Sequence, residues 1–247
     1  MGRVYLLGVF LLAATGLRGD RALEIALIHV EAIGGVKRIE ALKSLRAHGH
    51  VVTSGKQVRF TMTAARPARI RLETDAGGRT LIQASDGEEP PWEFDTGTWP
   101  PQYREMGAGV AKTFTADAEF DDPLVARESR GYTLDFAGEL AVDGRKLVRV
   151  LVTRKLAETF SLLLDEETYF IVMRVEHRES AGGRKLQLVT HYSDFRPVDG
   201  VLLPHSITLA VDGKATQQTK ISRIEANPDL KNVVFVRPRP RPTSAAP

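Results

Sequence analysis

Apolar and polar positions along this chain change period from helical to strand-like, and the changes divide it into regions. Leu23, Leu27, Val30 and Ile33 recur at helical spacing, with Asp20 placed as an N-cap and Glu24 in the first turn near the positive helix end. Gly34-Gly35 ends that helix, and Val36, Ile39, Leu42 and Leu45 predict a second short one. From Arg46 the period becomes two. Val58, Phe60 and Met62 alternate with Gln57, Arg59 and Thr61, and Ile70 and Leu72 alternate with Arg69, Arg71 and Glu73. One face of such strands is apolar and the other solvated, as in an antiparallel sheet with one wet side.

Strand patterning lapses between Glu88 and Gly131, where Pro90, Pro91, Pro100 and Pro101 forbid continuous sheet. Asp122 as N-cap, Pro123 at the first helical position and Gly131 beyond the end frame a short helix over 124–129. Strands then resume. Hairpin signals stand at Asp143-Gly144, Gly182-Gly183, Asp199-Gly200 and Asp212-Gly213, since both central residues of a type I′ turn need positive φ. His191 to Phe235 reads as a β-meander, with Pro204 near a strand start and Phe235 closing it. The spacing predicts roughly ten to twelve strands. If such a sheet curls, it encloses more room than its own side chains fill. A second sheet, the helical segments at 21–45 and 103–130, or a ligand must then occupy its concave side.

Composition adds little to this: 43% hydrophobic and 26% charged residues are those of an ordinary globule. The absence of cysteine is more informative, because it excludes a disulfide framework, a cysteine nucleophile, a zinc ribbon and a lipid-modified cysteine. Arg3 followed by the apolar run Val4 to Ala14, too short to span a bilayer comfortably, reads as a signal peptide within residues 1–19. Small residues at Ala14-Thr15-Gly16 offer a cut, with Gly19 as an alternative. The exported product is expected in the periplasm, with a single domain over 20–236 and an extended or disordered Pro/Arg-rich tail over 237–247. Net charge is +3, yet residues 17–236 carry 30 basic against 31 acidic side chains. The basicity lies at the ends, so no nucleic-acid footprint is expected on the domain.

Candidate chemistry is sparse. His48-x-His50 puts two imidazoles on one strand face, and His177 and His191 lie in adjacent strands whose register the sequence leaves open. Zinc needs three or four converging ligands, so no metal or other cofactor is assigned. Asp121-Asp122 and Glu88-Glu89 are neighbours that point to opposite sides of an extended chain, and neither a nucleophile elbow nor a P-loop is present. No catalytic residue is assigned. The apolar alternation carries the binding expectation instead: Val58, Phe60, Met62, Ile70, Leu72 and Ile82 as cavity lining, with Trp92 and Phe94 near its mouth. The same residue types build ordinary cores, and Trp92 and Trp99 fit either interface anchors or packing residues, with packing preferred.

Four stretches together resemble the outer-membrane lipoprotein-sorting (LolA/LolB-like) superfamily of bacterial envelopes, over roughly residues 22–236. They are the helix ending in Gly34-Gly35, Leu81-Ile82-Gln83-Ala84-Ser85-Asp86-Gly87 followed by Trp92, Leu164-Asp165-Glu166-Glu167-Thr168, and Tyr192-Ser193-Asp194-Phe195 with Val198-Asp199-Gly200 and Leu203-Pro204-His205. The resemblance implies a mainly β fold with helices: an unclosed antiparallel β-barrel of about eleven strands wrapped around a helical lid or plug. It implies a non-catalytic binding or carrier protein for lipoprotein acyl chains or lipid. The receptor-type members are lipoproteins, and a chain without cysteine fits the soluble carrier role better. An envelope-stress or lipid-sensing module that docks an envelope membrane protein is the alternative. A monomer is expected, with no nucleic acid bound.

Overall fold

The computed structural model describes residues 10–117, 120–154, 158–180 and 182–238. The start of the apolar run at Val4 and most of the Pro/Arg-rich tail lie outside the described residues. Among those described there are four helices: α1 Phe10–Ala32, α2 Val36–Ala41, α3 Ala108–Asp117 and α4 Arg127–Arg130. Thirteen strands follow. They are β1 Ser44–Thr53, β2 Lys56–Ala65, β3 Arg69–Asp75, β4 Thr80–Ser85, β5 Trp92–Asp95, β6 Tyr103–Glu105 and β7 Thr133–Val142. Then come β8 Arg145–Thr153, β9 Thr159–Asp165, β10 Ile171–Glu179, β11 Lys185–Val198, β12 Val201–Val211 and β13 Lys214–Ala226. Their hydrogen-bond order is β6-β5-β4-β3-β2-β1-β13-β12-β11-β10-β9-β8-β7, an unclosed antiparallel sheet of the class expected. The strand number exceeds eleven because β5 and β6 lie in the proline-rich lapse. Both are short and stand at one end of the order, with Pro90, Pro91, Pro100 and Pro101 all outside them, where no ladder bond is lost.

The hairpins form where their sequences require. Asp143-Gly144, Asp199-Gly200 and Asp212-Gly213 all have positive φ at both residues, as does Ser54-Gly55, which sequence reasoning passed over. The chain divides into two compact units, one comprising Met1–Ile39 with Asp121–Gln218, the other Glu40–Phe120 with Thr219–Pro247.

In the first unit, α1 lays Ala22, Ile25 and Ala26 on Val148, Val150 and Val152 of β8 and Phe160, Leu162 and Leu164 of β9. Leu124 and Ile171 complete this core. Register explains the match: Val148, Val150 and Val152 stand opposite Leu164, Leu162 and Phe160, so all six share one face. Burying each large side chain contributes about 1.5–3 kcal/mol. Two expectations are corrected here. Leu23 and Leu27 are 43% and 51% exposed, because the buried stripe is Ala22, Ile25, Ala26, His29 and Ile33, with Val30 beside it. Nor does Asp20 cap the helix: α1 begins at Phe10 and runs through it, since Leu11, Leu12, Ala13 and Ala14 are strong helix formers. The segment framed by Asp122 and Gly131 forms a turn at its start and α-helix only over Arg127–Arg130. Asp122 is therefore not the helix cap, a place that Ala126 takes with no side-chain bond; its Oδ1 instead closes the turn, accepting from the amides of Leu124 and Val125 at 2.9 and 3.2 Å.

The other oxygen of Asp122 lies 3.2 Å from His29 Nε2, while His29 Nδ1 donates to the Tyr169 carbonyl at 2.7 Å. His29 is buried. Burial opposes its charge, but the Asp122 carboxylate and the two hydrogen bonds outweigh that, so its pKa lies above the usual 6.5. Burial also opposes the Asp122 charge, and His29 with the turn amides outweighs it, placing that carboxyl below its usual range. The stabilisation from His29 is therefore complete below pH 6.5 and lost as pH rises through the raised folded value. That from Asp122 is present above pH 3.8 and lost as pH falls through its lowered value. Thermal unfolding should show a midpoint that declines from pH 6 into the alkaline range. Asp122→Asn should flatten that decline, and Asp122→Ala should cost about 3 kcal/mol in urea unfolding.

Candidate functional site

In the second unit, register separates the eight expected binding residues. Met62 stands opposite Ala47 on β1 and Leu72 on β3, Phe60 opposite Gly49 and Thr74, and Ala64 opposite Ile70. Val58, Phe60, Met62, Ile70 and Leu72 therefore share one face. Two neighbours on that face were missed: Val51, opposite Val58, and Leu81, opposite Thr74. Strict alternation from Val58 through the registers was the signal for both. Ile70, Ala64 and Ala47 are buried, whereas Val51, Val58, Phe60, Met62, Leu72 and Leu81 are only half-buried. Gly49 lets backbone and ring close over β1. A Cβ there would stand 2.1 Å from the Lys220 carbonyl oxygen and 2.9 Å from the Phe60 ring.

Ile82, Trp92 and Phe94 lie on the opposite face. Ile82 is opposite Glu73 and Phe94, and Trp92 is opposite Ala84. Trp92 is 2% exposed and donates its indole N–H to the Phe235 carbonyl at 2.7 Å. Tyr103 packs edge-on to Trp92 at 5.4 Å and stacks on Phe94 at 4.6 Å. Arg71 donates to the Val234 carbonyl at 2.9 Å and lies 5.9 Å from the Trp92 ring, and Arg69 lies 5.3 Å from the Phe235 ring. The segment 228–237 thus covers this end of the face.

Beyond it are two polar depressions of about 620 and 360 Å³ that share Thr61 and Glu73. His48, His50, Arg59 and Asp75 line the larger one. The groups of the two depressions bind one another: His48 Nδ1 to Thr61 Oγ1 at 3.1 Å and Arg59 to Asp75 at 3.0 Å in the larger, and Arg71 to Glu73 at 2.7 Å in the smaller. Among the described residues, no three His, Asp or Glu converge as metal ligands. In the first unit, His191 stands opposite Met173 and His177 opposite Gln187, so those imidazoles share a face four positions apart.

At the β5 end, Arg79 grips the buried carboxylate of Asp95 through Nε at 2.9 Å and a terminal nitrogen at 2.5 Å. The bonds from Arg79 and from the Gly97 amide hold the Asp95 pKa at about 2. Trp99, expected to pack, is instead 93% exposed at the tip of the loop that this pair anchors. Pro100 and Pro101 follow it and carry the chain directly back to β6, leaving the ring no surface to fold onto.

No family model matches the chain, and no curated protein matches it in sequence. Solved structures do share its fold. A DUF1329 family protein from Desulfovibrio piger superposes with a TM-score of 0.57 at 12% identity, covering 85% of this chain and 93% of its own. An outer membrane lipoprotein-sorting protein domain from Vibrio parahaemolyticus gives 0.57 at 10% identity, covering 87% and 95%. A LolA superfamily protein from Nitrosomonas europaea gives 0.55 at 14% identity, covering 89% and 98%. The fold is LolA-like, as the sequence resemblance implies. Among the described residues, no helix is long and apolar enough to cross a membrane.

The covered face makes a structural prediction. Trp92→Phe removes the bond to Phe235 and should lower stability by about 1–2 kcal/mol in urea unfolding. The amide proton of Val233, bonded to the Leu230 carbonyl at 2.9 Å in the same segment, should then exchange faster with solvent in hydrogen-exchange measurements.

Proposed function

We propose that this LolA-like chain is a periplasmic binding or carrier protein for an apolar ligand, an acyl chain of a lipoprotein or a lipid. The chain would lie along Val58, Phe60, Met62 and Leu72, flanked by Val51 and Leu81. The observation that carries the reading is that ladder: six apolar side chains from four adjacent strands, on one face, each only half-buried. A finished core excludes water from such residues, whereas here they retain surface that a ligand's methylenes can cover. Each methylene that leaves water contributes about 0.8 kcal/mol. The role is non-catalytic on this reading, with residues 1–19 as the export signal and 20–236 acting as one domain. Its support in the comparisons is the shared fold with a lipoprotein-sorting domain.

Ile82, Trp92 and Phe94 have no part in the proposed surface, since they stand on the other face. Delipidated protein should bind a fluorescent fatty-acid probe saturably. Met62→Asp places a charge in the ladder and should raise the probe's Kd at least about tenfold. Glu73→Gln, on the opposite face, should leave it unchanged. Circular dichroism and thermal melting check that both variants fold. No saturable binding, or full affinity in folded Met62→Asp, would sink this reading.

A further inference from the structure

We propose that the β5–β6 loop, residues 96–102, is an anchor that seats Trp99 at the headgroup level of a phospholipid bilayer. The inference is independent of the acyl-chain reading. Trp99 is 93% exposed, far more than any other large apolar side chain described. Water is a poor place for an indole, and the membrane–water interface is where its apolar body and polar N–H are both accommodated.

The loop is made for that boundary in two further ways. It is uncharged: Thr96, Gly97, Thr98, Trp99, Pro100, Pro101 and Gln102 carry no ionisable group. Three of its five backbone donors are also paired within the fold. The Thr96 amide donates to the Thr80 carbonyl at 3.0 Å, the Gly97 amide to Asp95 Oδ1 at 2.7 Å and the Thr98 amide to the Asp95 carbonyl at 3.4 Å. Pro100 and Pro101 have no N–H at all. An apolar boundary penalises unpaired backbone donors, and this tip presents few.

Charge at the loop's base points the same way. Arg79 and Arg104 stand at its two ends, each pairing with a carboxylate, Asp95 and Glu93 respectively, while its own side chain is 61% and 58% exposed. The open sides of these guanidiniums suit phosphate headgroups. Area separates a bilayer from a protein partner. One tryptophan supplies at most about 250 Å², well short of the roughly 800 Å² per partner that a stable protein interface buries. A bilayer needs no matching patch.

The test uses the full chain and vesicles of phosphatidylethanolamine and phosphatidylglycerol. Sedimentation alone would also report the apolar run from Val4, so the readout must be specific to Trp99. Trp92 is buried, so acrylamide quenching of tryptophan emission in solution reports Trp99. Vesicles should shift that emission to the blue and protect it from acrylamide, and vesicles with brominated acyl chains should quench it. Trp99→Ala should weaken vesicle binding about tenfold. Because Trp99 touches no core, the variant should melt like the wild type. If Trp99 stays open to acrylamide on vesicles, or Trp99→Ala binds them as well as wild type, the proposal is overturned. If Trp99→Ala changes only self-association in ultracentrifugation, the occupant is a second copy and the bilayer assignment is also overturned.

Discussion

Antiparallel register is the constraint on which the rest of this protein depends. Side chains alternate strictly across a strand, so a shift of one residue moves every group to the other face. In the first unit, the pairing of Val148, Val150 and Val152 with Leu164, Leu162 and Phe160 creates the platform for α1. In the second, the pairing of Met62 with Leu72 gathers one apolar ladder, and the pairing of Ile82 with Phe94 commits those two to the reverse face. Turns that admit only positive φ hold several of these registers, and a slip at Ser54-Gly55 would exchange the ladder for His48, His50 and Arg59.

A second device recurs at several points where the chain leaves a strand or starts a turn. One aspartate oxygen accepts from backbone amides just ahead in sequence, and the other takes a cation from elsewhere. Asp95 serves Gly97 and Arg79, Asp165 serves Glu167, Thr168 and Arg145, and Asp122 serves Leu124, Val125 and His29. Each carboxylate thus ties local turn geometry to a distant segment. All three have lowered pKa values, as expected for carboxylates that accept several hydrogen bonds. The His29 case differs because its cation is itself titratable, which makes the attachment of α1 sensitive to pH in a way that the arginine pairs are not.

Much of this was legible in the chain. Period-two alternation located β2 and β3, and the Asp-Gly pairs located the β7–β8, β11–β12 and β12–β13 hairpins. The losses have physical causes. Leu23 and Leu27 outweighed Ala22, Ala26 and His29 in a count of apolar residues, yet small side chains are what allow a helix to lie close on a sheet, and a buried histidine needs only partners. β5 and β6 are too short for alternation to register, and prolines border them. Trp92 and Trp99 are indistinguishable by type. What separates them is Phe235, more than a hundred residues along the chain, which covers one and not the other. For the same reason the expected site mixed two faces, since no local pattern reveals that Ile82 and Leu72 point opposite ways.

Half-burial of the ladder bears on what kind of binding it would support. A chain laid on an open face loses water along only part of its surface, so each methylene gains roughly half of the 0.8 kcal/mol of full transfer. For a long acyl chain this gives about 6 kcal/mol, before the cost of ordering the ligand is subtracted. The resulting affinity is weaker than micromolar, about 8 kcal/mol being needed for that. Such a site would suit loading and release rather than storage, because the ligand would leave without any part of the core having to open. Covering the ladder, by a second element or by a membrane surface, would tighten the same site by removing the remaining water. On this view, affinity depends less on which residues form the ladder than on how much of it is covered at each step.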